Sequence, residues 1–508
     1  MRNYDREEIR KRDIPMREVD FETLLEECIP ELPPAYVVDG VTPWKTAMNR
    51  ILWGMALTTI TLNFWLLDYI LPMIGQFLML FGFRMLRGEN AWFKKCWYLT
   101  IFRMVNFVIR CILHATIFRS MLADSYAEGV ITIVSLAIIF VQIFFFRKAI
   151  RMVQKKAGLQ PKANAMLVLL GWYGVLCSMS AVQYAGLLVI VLLIGYIFII
   201  RSLYKISKEL TEVGYVIENA PIRVSEGKII AGALGILLVG ISCGYLFFHS
   251  YPMDWKPAVA TEDAKRKEIE NHLIEIGFPQ KILADLSEDD VKACKGALRV
   301  VVQAETYPVN EGKIVTDRSE GGRYTHTVYD KEELRFTNIA VELPGERERW
   351  KVFHHFEFTI PPVFYGTESI QLWSCYRNDS YAWAADGEVT GQVLYDEDGQ
   401  TYVASYASLK EETYQNNSIL FADTTRSTDV FAEFSMPEEG ERHRGYLSYT
   451  TAEVKDGVML RSWVNYTHQT SWLQYPVLSA KEKRMQNDMV NRRPFKTVQD
   501  SISFYPFR

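Results

Sequence analysis

Residues 51–83 read ILWGMALTTITLNFWLLDYILPMIGQFLMLFGF, an apolar run of 33 residues. A single helix of that length would be ~50 Å long at ~1.5 Å per residue, whereas the hydrocarbon core of a bilayer is ~30 Å thick. Asp68 and Pro72 interrupt the run near its middle. We therefore predict a membrane hairpin, with one span near 48–67 and a second near 70–85.

Further apolar stretches follow, and they end near residue 248. With the hairpin they predict about seven spans in a polytopic α-helical membrane bundle. The chain then divides into a cytoplasmic N-terminal segment (1–42), a transmembrane domain (43–248), a helical neck (249–300) and a β domain (301–508). The additional spans are predicted near 97–118, 130–146, 164–180, 185–200 and 229–248.

The charges between the spans predict their orientation. Residues 147–162 hold six basic residues and no acidic one, residues 84–95 are also net basic, and residues 120–129 are acidic. Because basic loops stay on the cytoplasmic side, residues 84–95 and 147–162 should lie inside, and residues 120–129 should lie outside. The N-terminal segment lacks the apolar core of a signal peptide and should also lie inside. We therefore expect a multi-pass protein of the cell membrane, with residues 249–508 on the extracytoplasmic side.

Beyond residue 300 the hydrophobic period changes to two. Stretches such as RWKVFHHFEFTI (349–360) and VMLRSWVNY (458–466) are rich in aromatic and β-branched residues and are separated by turn residues. About ten such strands without intervening helices predict a mainly antiparallel β-sandwich or jelly-roll. The clearest hairpin turn is Asp398-Gly399.

A cationic stripe lies in the third predicted span. Its polar members are spaced by three and four residues and therefore share one helix face. An arginine near the centre of a bilayer costs ~3 kcal/mol on insertion scales, so a partner must offset it. Asp68 is one candidate partner, more easily for His114 than for Arg103, and Asn63, Gln76 and Gln142 are others. The members of the stripe are Arg103, Asn106, Arg110 and His114.

Two interpretations of this stripe stay open. In the first it forms an intramembrane site for an anion, a lipid headgroup or a proton. In the second it is a buried structural network, or Arg103 extends to the inner membrane surface while its apolar stem stays in the bilayer.

Small residues in the last predicted span favour close helix packing. Gly240 and Gly244 form a GxxxG pattern, and Ala231 and Gly235 have the same spacing. Packing within the protein's own bundle is the simpler interpretation, and dimerisation is the alternative.

Motifs for catalysis or metal binding are missing from the sequence. His354 and His355 fall in a strand pattern, which directs their rings to opposite faces. The DEDG stretch at 396–399 lacks the flanking helices and final glutamate of a calcium loop. The cysteines are scattered without a CxxC pair, so no disulfide scaffold is expected. We predict no catalytic residue, no metal ligand and no cofactor.

Aromatic residues of the β domain offer a candidate ligand surface. SYAWAADGE (380–388) lies between two strand patterns, so Tyr381 and Trp383 are its best members. The alternative is that the tryptophans belong to the hydrophobic core.

These features favour a binding or sensing membrane protein. Its β domain would recognise an envelope glycan, a peptide or a partner protein, with the bundle in the lipid bilayer as anchor or relay. A transporter or channel component that uses the cationic stripe is the alternative, and a membrane enzyme has no motif in its favour. The short cytoplasmic segments imply that any energy-coupling or signalling subunit is a separate chain. The acidic β domain disfavours nucleic acid.

Overall fold

The computed structural model places most of the chain in two compact units, which we describe separately. The helical unit lies within Met1–Phe107 and Ile131–Gly232, and the β unit lies within Val108–Val130 and Ala233–Arg508. The described residues are 43–60, 65–123, 125–162, 164–181, 188–217, 220–221, 223–259, 263–319, 322–374, 382–417, 424–471, 474–486 and 494–505.

Helices dominate the described chain up to residue 247. They are α1 Pro43–Thr59, α2 Leu67–Leu86, α3 Ala91–Leu113, α4 Phe118–Ala123, α5 Tyr126–Lys156, α6 Asn164–Ala181, α7 Leu188–Glu212 and α8 Glu226–Phe247.

Five of these helices are long and apolar enough to cross a membrane, namely α2, α3, α5, α7 and α8. The prediction of a helical membrane region is confirmed at that level. Two of the seven predicted spans fall short of it. The helix at the first span, α1, has 17 residues and ends at Thr59, and the apolar part of α6 is also shorter than a full span.

Glycines let α1 and α2 approach each other closely. A Cβ atom at Gly75 would lie 2.8 Å from the carbonyl oxygen of Gly54, and one at Gly82 would lie 2.8 Å from that of Ala47. Both distances are shorter than any side chain tolerates. Because α1 is held this closely, its inner face, which includes Ile51, belongs to the buried core of the helical unit.

The β unit contains the described strands. They are β1 Lys256–Pro257, β2 Arg299–Tyr307, β3 Lys313–Ser319, β4 Gly322–Val328, β5 Leu334–Leu343, β6 Arg349–Phe358, β7 Glu368–Trp373, β8 Trp383–Ala385, β9 Thr390–Glu397, β10 Gln400–Ala404, β11 Ser408–Asn417, β12 Thr424–Phe434, β13 Glu441–Glu453, β14 Leu460–Gln469 and β15 Phe495–Phe504.

Every described strand pairing is antiparallel. The first sheet runs in the order β1-β10-β9-β13-β6-β5-β2, with β8 also paired to β13. The second sheet runs β11-β12-β7-β14-β15, and β3 and β4 form a separate two-stranded arm. Glu397 pairs with Gln400, and Asp398 and Gly399 between them both have positive φ angles. The predicted hairpin turn is confirmed.

The two large sheets share one hydrophobic core. Phe336 and Phe356 of the first sheet belong to the same buried cluster as Leu372, Phe434 and Tyr466 of the second. The segments in which apolar residues alternate therefore form strands of two sheets. Side chains from both sheets are buried in the same core.

Short helices cover the other face of the first sheet. They are α9 Ala264–Glu275, α10 Gln280–Leu283 and α11 Glu288–Ala293. Leu273 and Val291 of these helices are buried together with Ile339 and Phe353 of the sheet. Ser287 caps α11 by accepting a hydrogen bond from the backbone N–H of Asp290, as such a residue does at a helix start. A further helix, α12 (Ala480–Met485), lies between β14 and β15 in the chain.

Candidate functional site

Two residues of the cationic stripe are partnered within the helical unit. Arg103 Nη1 donates to Oε1 of Gln142 at 2.6 Å, and Asn106 Nδ2 donates to Oγ of Ser135 at 3.3 Å. Gln142 in turn donates to Oγ1 of Thr100 at 2.8 Å. Gln142 is one of the partners that the sequence suggested, and it lies on α5.

A third residue of the stripe forms an ion pair within the β unit. Arg110 Nη2 lies 2.9 Å from Oε1 of Glu128, which is in the first turn of α5. The polar composition of residues 120–129 predicts a loop there, so Glu128 was not expected as a partner. A signal was present, since Glu128, Ser135 and Gln142 are seven residues apart and therefore share one helix face.

The space beside the stripe is too small for a substrate. Arg103 and Gln142 border a cavity of about 20 Å³, which Tyr173 also lines. That volume suits about one water molecule. Asp68 lies half-buried in the first turn of α2. Its pairing with His114 stays a prediction, because the two residues belong to different units. Gln76 is buried on α2, and Asn63 lies outside the described residues.

His114 lies just beyond α3, where the chain meets a segment of the β unit. Its carbonyl oxygen accepts a 2.8 Å hydrogen bond from the backbone N–H of Val477. The hydroxyl of Tyr475 donates to the carbonyl oxygen of Cys111 at 3.0 Å. These bonds tie residues 474–477 to the end of α3.

An ion pair extends this attachment to α4. Arg119 Nη1 lies 3.0 Å from Oε1 of Glu482 on α12 and also donates to the carbonyl oxygen of Val477 at 3.2 Å. Burial raises the pKa of Glu482, although Arg119 acts in the opposite direction. Residues 474–482, which we call the clasp, therefore hold α4 and the end of α3 through both backbone and side-chain bonds.

The GxxxG glycines of α8 contact residues of the same unit. A Cβ atom at Gly240 would lie 2.5 Å from a side-chain carbon of Ile112, and one at Gly244 would lie 3.0 Å from the carbonyl oxygen of Ala115. By contrast, no described atom lies within 4 Å of a Cβ at Gly235, and Ala231 is exposed. This placement favours packing within the chain at Gly240 and Gly244.

The β unit contains a large open cavity, which we call the sheet-end pocket. It has a volume of about 530 Å³, within the range of about 300–1,000 Å³ that ligand pockets have. Its walls come from four separate stretches of chain: 309–313, 328–333, 362–364 and 468–471.

A histidine at the floor of this pocket is paired with a buried carboxylate that does not itself line the pocket. His468 Nδ1 and Oε1 of Glu368 are 2.7 Å apart, and both side chains are buried. Burial raises the pKa of Glu368, although the neighbouring His468 acts in the opposite direction. Thr470 also lines the pocket, and its buried hydroxyl has no hydrogen-bond partner in the described part of the chain.

The floor is suited to binding more than to nucleophilic catalysis. Where a histidine activates a hydroxyl nucleophile of the protein, that hydroxyl lies within hydrogen-bond reach of the second ring nitrogen. Among the described residues, no hydrogen bond joins His468 to Thr470 or to Ser471, the hydroxyl-bearing residues beside it. The pocket instead presents the hydroxyl of Thr470, which has no partner in the described part of the chain, and His468, which is paired with Glu368.

The rim of the pocket is charged and partly fixed. Glu333 accepts hydrogen bonds from the backbone N–H of Val309, at 3.1 Å, and from the side chain of Asn310. Lys313 forms an ion pair with Asp330 across the β3–β4 arm. These bonds order the loop before β3, so the pocket is largely pre-formed.

The predicted aromatic surface requires a correction. Trp383 is only 2% exposed and belongs to the core that the two sheets share. It pairs through β8 with β13, which directs its large ring inward instead of toward a ligand. Tyr381 lies outside the described residues.

The two adjacent histidines of β6 do point to opposite faces, as predicted. His354 faces the shared core, where its ring nitrogens lie 2.5 Å from Asn338 and 2.6 Å from Ser462. Burial lowers the pKa of His354 to about 3. His355 faces α10 and lies 2.9 Å from Asp285. Two such rings cannot bind one metal ion.

Buried charges fasten the short helices to the first sheet. Asp285 bonds to Arg444 at 2.7 Å as well as to His355, and Asp290 bonds to Lys351 at 2.8 Å. Burial opposes ionisation of both aspartates, but these partners outweigh it, so the pKa of each lies below its ordinary value. Because its charges are paired, this network is structural.

Histidine, cysteine and acidic side chains are dispersed through the described residues. No cluster of three or more histidine, cysteine or acidic side chains that could hold a metal ion occurs among them. Cys294 is buried and free, and Cys375 lies outside the described residues.

No protein-family model matches this chain, and no curated protein matches it. The function therefore has to be argued from the site geometry.

Proposed function

We propose that this chain is a multi-pass membrane protein whose extracytoplasmic β unit binds an envelope ligand in the sheet-end pocket. The observation that carries the proposal is the pocket itself, a pre-formed recess of about 530 Å³. A recess of this size, lined by both apolar and polar residues, can hold a ligand. The helical part then serves as membrane anchor and as relay.

The proposal includes a finer architecture. We propose that α1 and α6 complete seven spans in the cell membrane, with the N-terminal segment inside. The basic residues in 147–162, which cover the end of α5 and the start of the link to α6, support that orientation. We also propose that the β unit is a jelly-roll-like sandwich, which is supported by two antiparallel sheets around one core.

The chemistry of the rim favours a peptide or a segment of a partner protein as ligand. The pocket carries both signs of charge, through Lys331 and Glu311, beside apolar residues such as Phe364. The adjacent β3–β4 arm exposes Ile314 and Tyr324 to solvent. Exposed apolar groups next to a charged rim are typical of protein interaction surfaces. A glycan remains the second ligand class, since the floor offers hydrogen-bonding groups.

The clasp supplies a route from the pocket toward the membrane helices. Thr470 and Ser471 line the pocket, and the clasp begins three residues later at Gln474. Its bonds to Cys111, His114 and Arg119 connect that stretch to α3 and α4. A ligand that orders the pocket wall would thereby bias the position of these helix ends.

Transport through the cationic stripe is less well supported. The cavity beside Arg103 holds about 20 Å³, and Arg103, Asn106 and Arg110 already have protein partners. Hydrogen bonds of this kind join neighbouring helices and satisfy polar side chains between them, which is a structural role.

The binding proposal is tested by thermal unfolding of the full-length protein in nanodiscs with peptides, peptidoglycan fragments and envelope sugars. A ligand at a hundredfold excess over its dissociation constant stabilises the native state by ~2.7 kcal/mol. Val328→Arg, at the pocket wall, should abolish the shift. Val302→Arg is the matched control, because Val302 is 39% exposed and Val328 38%, and Val302 lies outside the pocket. A shift that survives Val328→Arg contradicts the proposed site.

The relay is tested by hydrogen exchange of residues 108–123. In the wild type, ligand binding should change their protection. In Arg119→Met, the same ligand should bind with similar affinity while residues 108–123 no longer respond. An unchanged response in Arg119→Met contradicts a relay through the clasp.

A further inference from the structure

The helical unit contains a sizeable cavity of its own, which we call the arginine pocket. Its volume is about 390 Å³, and it is lined by the last turn of α2, the first half of α3 and the stretch 223–229 that leads into α8. All of these elements belong to one compact unit. The arginine pocket is separate from the small cavity beside Arg103 and shares no lining residue with it.

Three arginines line this pocket, and none of its lining residues is acidic. Arg84 is 6% exposed, and its Nη2 donates to the carbonyl oxygen of Val224. The other terminal nitrogen, Nη1, is buried and has no hydrogen-bond partner in the described part of the chain. A buried cationic donor without a partner is costly, so a bound acceptor would offset a real penalty.

The other two arginines, Arg87 and Arg223, add positive charge to the same pocket. Arg87 lies over the ring of Trp97 at 4.9 Å and donates to the carbonyl oxygen of Pro221 at 2.5 Å, so its guanidinium is fixed. Arg223 is exposed at the mouth of the pocket. One guanidinium group can bind two phosphate oxygens at once, so a pocket lined by several arginines suits a phosphate group.

The rest of the lining is apolar. Ile101, Met104 and Val105 of α3 form one wall, and Leu80 and Ile229 contribute to the others. Val105 is half exposed, and the neighbouring Phe102 is too, so the wall continues onto the outer surface of α3. Because α3 is apolar enough to span a membrane, that outer surface suits acyl chains.

We propose that the arginine pocket binds the phosphate headgroup of an anionic phospholipid. The phosphate accepts hydrogen bonds from Arg84 Nη1 and from Arg223, and an acyl chain lies along the wall formed by α3. The complementarity between three cations and an apolar wall selects an amphiphile over a small soluble anion. The inference requires insertion of α2 and α3 in a bilayer and does not depend on the sheet-end pocket.

Native mass spectrometry of the full-length protein in neutral detergent tests this assignment. The protein is titrated with phosphatidylglycerol and with phosphatidylcholine of the same acyl chains. We expect one phosphatidylglycerol to bind at least tenfold more tightly than phosphatidylcholine, which corresponds to ~1.4 kcal/mol. Arg223→Gln should remove most of that preference without affecting folding, because Arg223 is exposed.

Two further variants separate the site from general charge attraction. Ile229→Trp fills the apolar part and should weaken binding while keeping every arginine. Arg151→Gln removes an exposed cation from α5, outside the pocket, and should leave the preference unchanged. The proposal is overturned if Arg151→Gln costs as much as Arg223→Gln, or if the two lipids bind equally. Displacement by millimolar inorganic phosphate with no dependence on acyl chains would overturn the lipid assignment in favour of a free anion.

Discussion

Removing the lysine of the buried Asp290–Lys351 pair should destabilise the β unit strongly. Both side chains are almost fully buried, and Lys351 Nζ lies 2.8 Å from Oδ1 of Asp290. In Lys351→Met the aspartate would keep its hydrogen bonds from Tyr446, at 2.6 Å, and from Ser448, at 3.0 Å, but would lose its counter-charge.

The magnitude follows from these contacts. Breaking a buried ion pair by removing one partner costs ~3–5 kcal/mol, since it leaves an uncompensated charge. The remaining hydroxyl donors to Asp290 place the expected loss near the lower end, ~3 kcal/mol. The matched control is Lys292→Met on α11, whose ion pair with Glu288 is solvent-exposed and should contribute little to stability.

Urea unfolding of the full-length protein in detergent, followed by near-ultraviolet circular dichroism, measures both losses. A second variant, Asp290→Asn with Lys351→Met, removes both charges and should recover part of the stability. Equal losses for Lys351→Met and Lys292→Met would refute the assignment of a buried, stabilising pair.

The same pair predicts a pH dependence. The pKa of Asp290 lies below its ordinary value, so the stabilisation is present above pH ~3.9 and is lost as the pH falls through the folded-state value. Without Lys351 the pKa of Asp290 should rise, and its protonation should begin at a higher pH. The stability difference between wild type and Lys351→Met should therefore shrink on acidification. A difference that grows instead contradicts this account.

Three other predictions concern the helices and the topology. Gly75→Leu should lower the unfolding midpoint, at a cost of ~2 kcal/mol or more from overpacking against α1, whereas Gly171→Leu, with no described atom near its Cβ position, should not. Arg103→Met should reduce stability by ~1–3 kcal/mol, because it leaves the buried Oε1 of Gln142 without its donor; unchanged stability would contradict a structural network. A membrane-impermeant thiol reagent applied outside cells should label Val363→Cys in the β unit but not Lys155→Cys in the last turn of α5. Labelling of the second variant overturns the proposed orientation.

Local patterns in the sequence were sufficient for many strands of the β unit, although about ten were predicted and the structure describes fifteen. The alternation along 349–360 and 458–466 requires pleated strands, and Asp398-Gly399 tolerates the positive φ angles of a two-residue turn. The order of the strands within each sheet could not be predicted in this way, because it depends on contacts between residues far apart in the chain.

The sequence also revealed the cationic stripe but not all of its partners. Gln142 was recognised as polar within an apolar run, whereas Glu128 was assigned to a loop because α5 starts earlier than the apolar stretch. The Gly75 and Gly82 contacts were missed because a single glycine in an apolar run carries no information about the helix facing it.

The sheet-end pocket could not be predicted from the sequence. It combines residues from Val309 to Ser471 that converge only when both sheets have formed. The aromatic stretch 380–388 was easier to recognise in the sequence than this pocket. Trp383, the first residue of β8, is nevertheless buried in the core, because burial of a large aromatic ring stabilises the fold.

The most direct test of ligand binding at the sheet-end pocket is photo-crosslinking in intact cells, with a photoreactive residue at position 363. Val363 lines the pocket and is 99% exposed, and Val259, 86% exposed and outside the pocket, is the matched control position. We expect a defined envelope adduct at position 363 that is absent at position 259 and is lost when Val328→Arg is added. The same adducts at both positions, or an adduct at 363 that survives Val328→Arg, would contradict ligand binding at the sheet-end pocket.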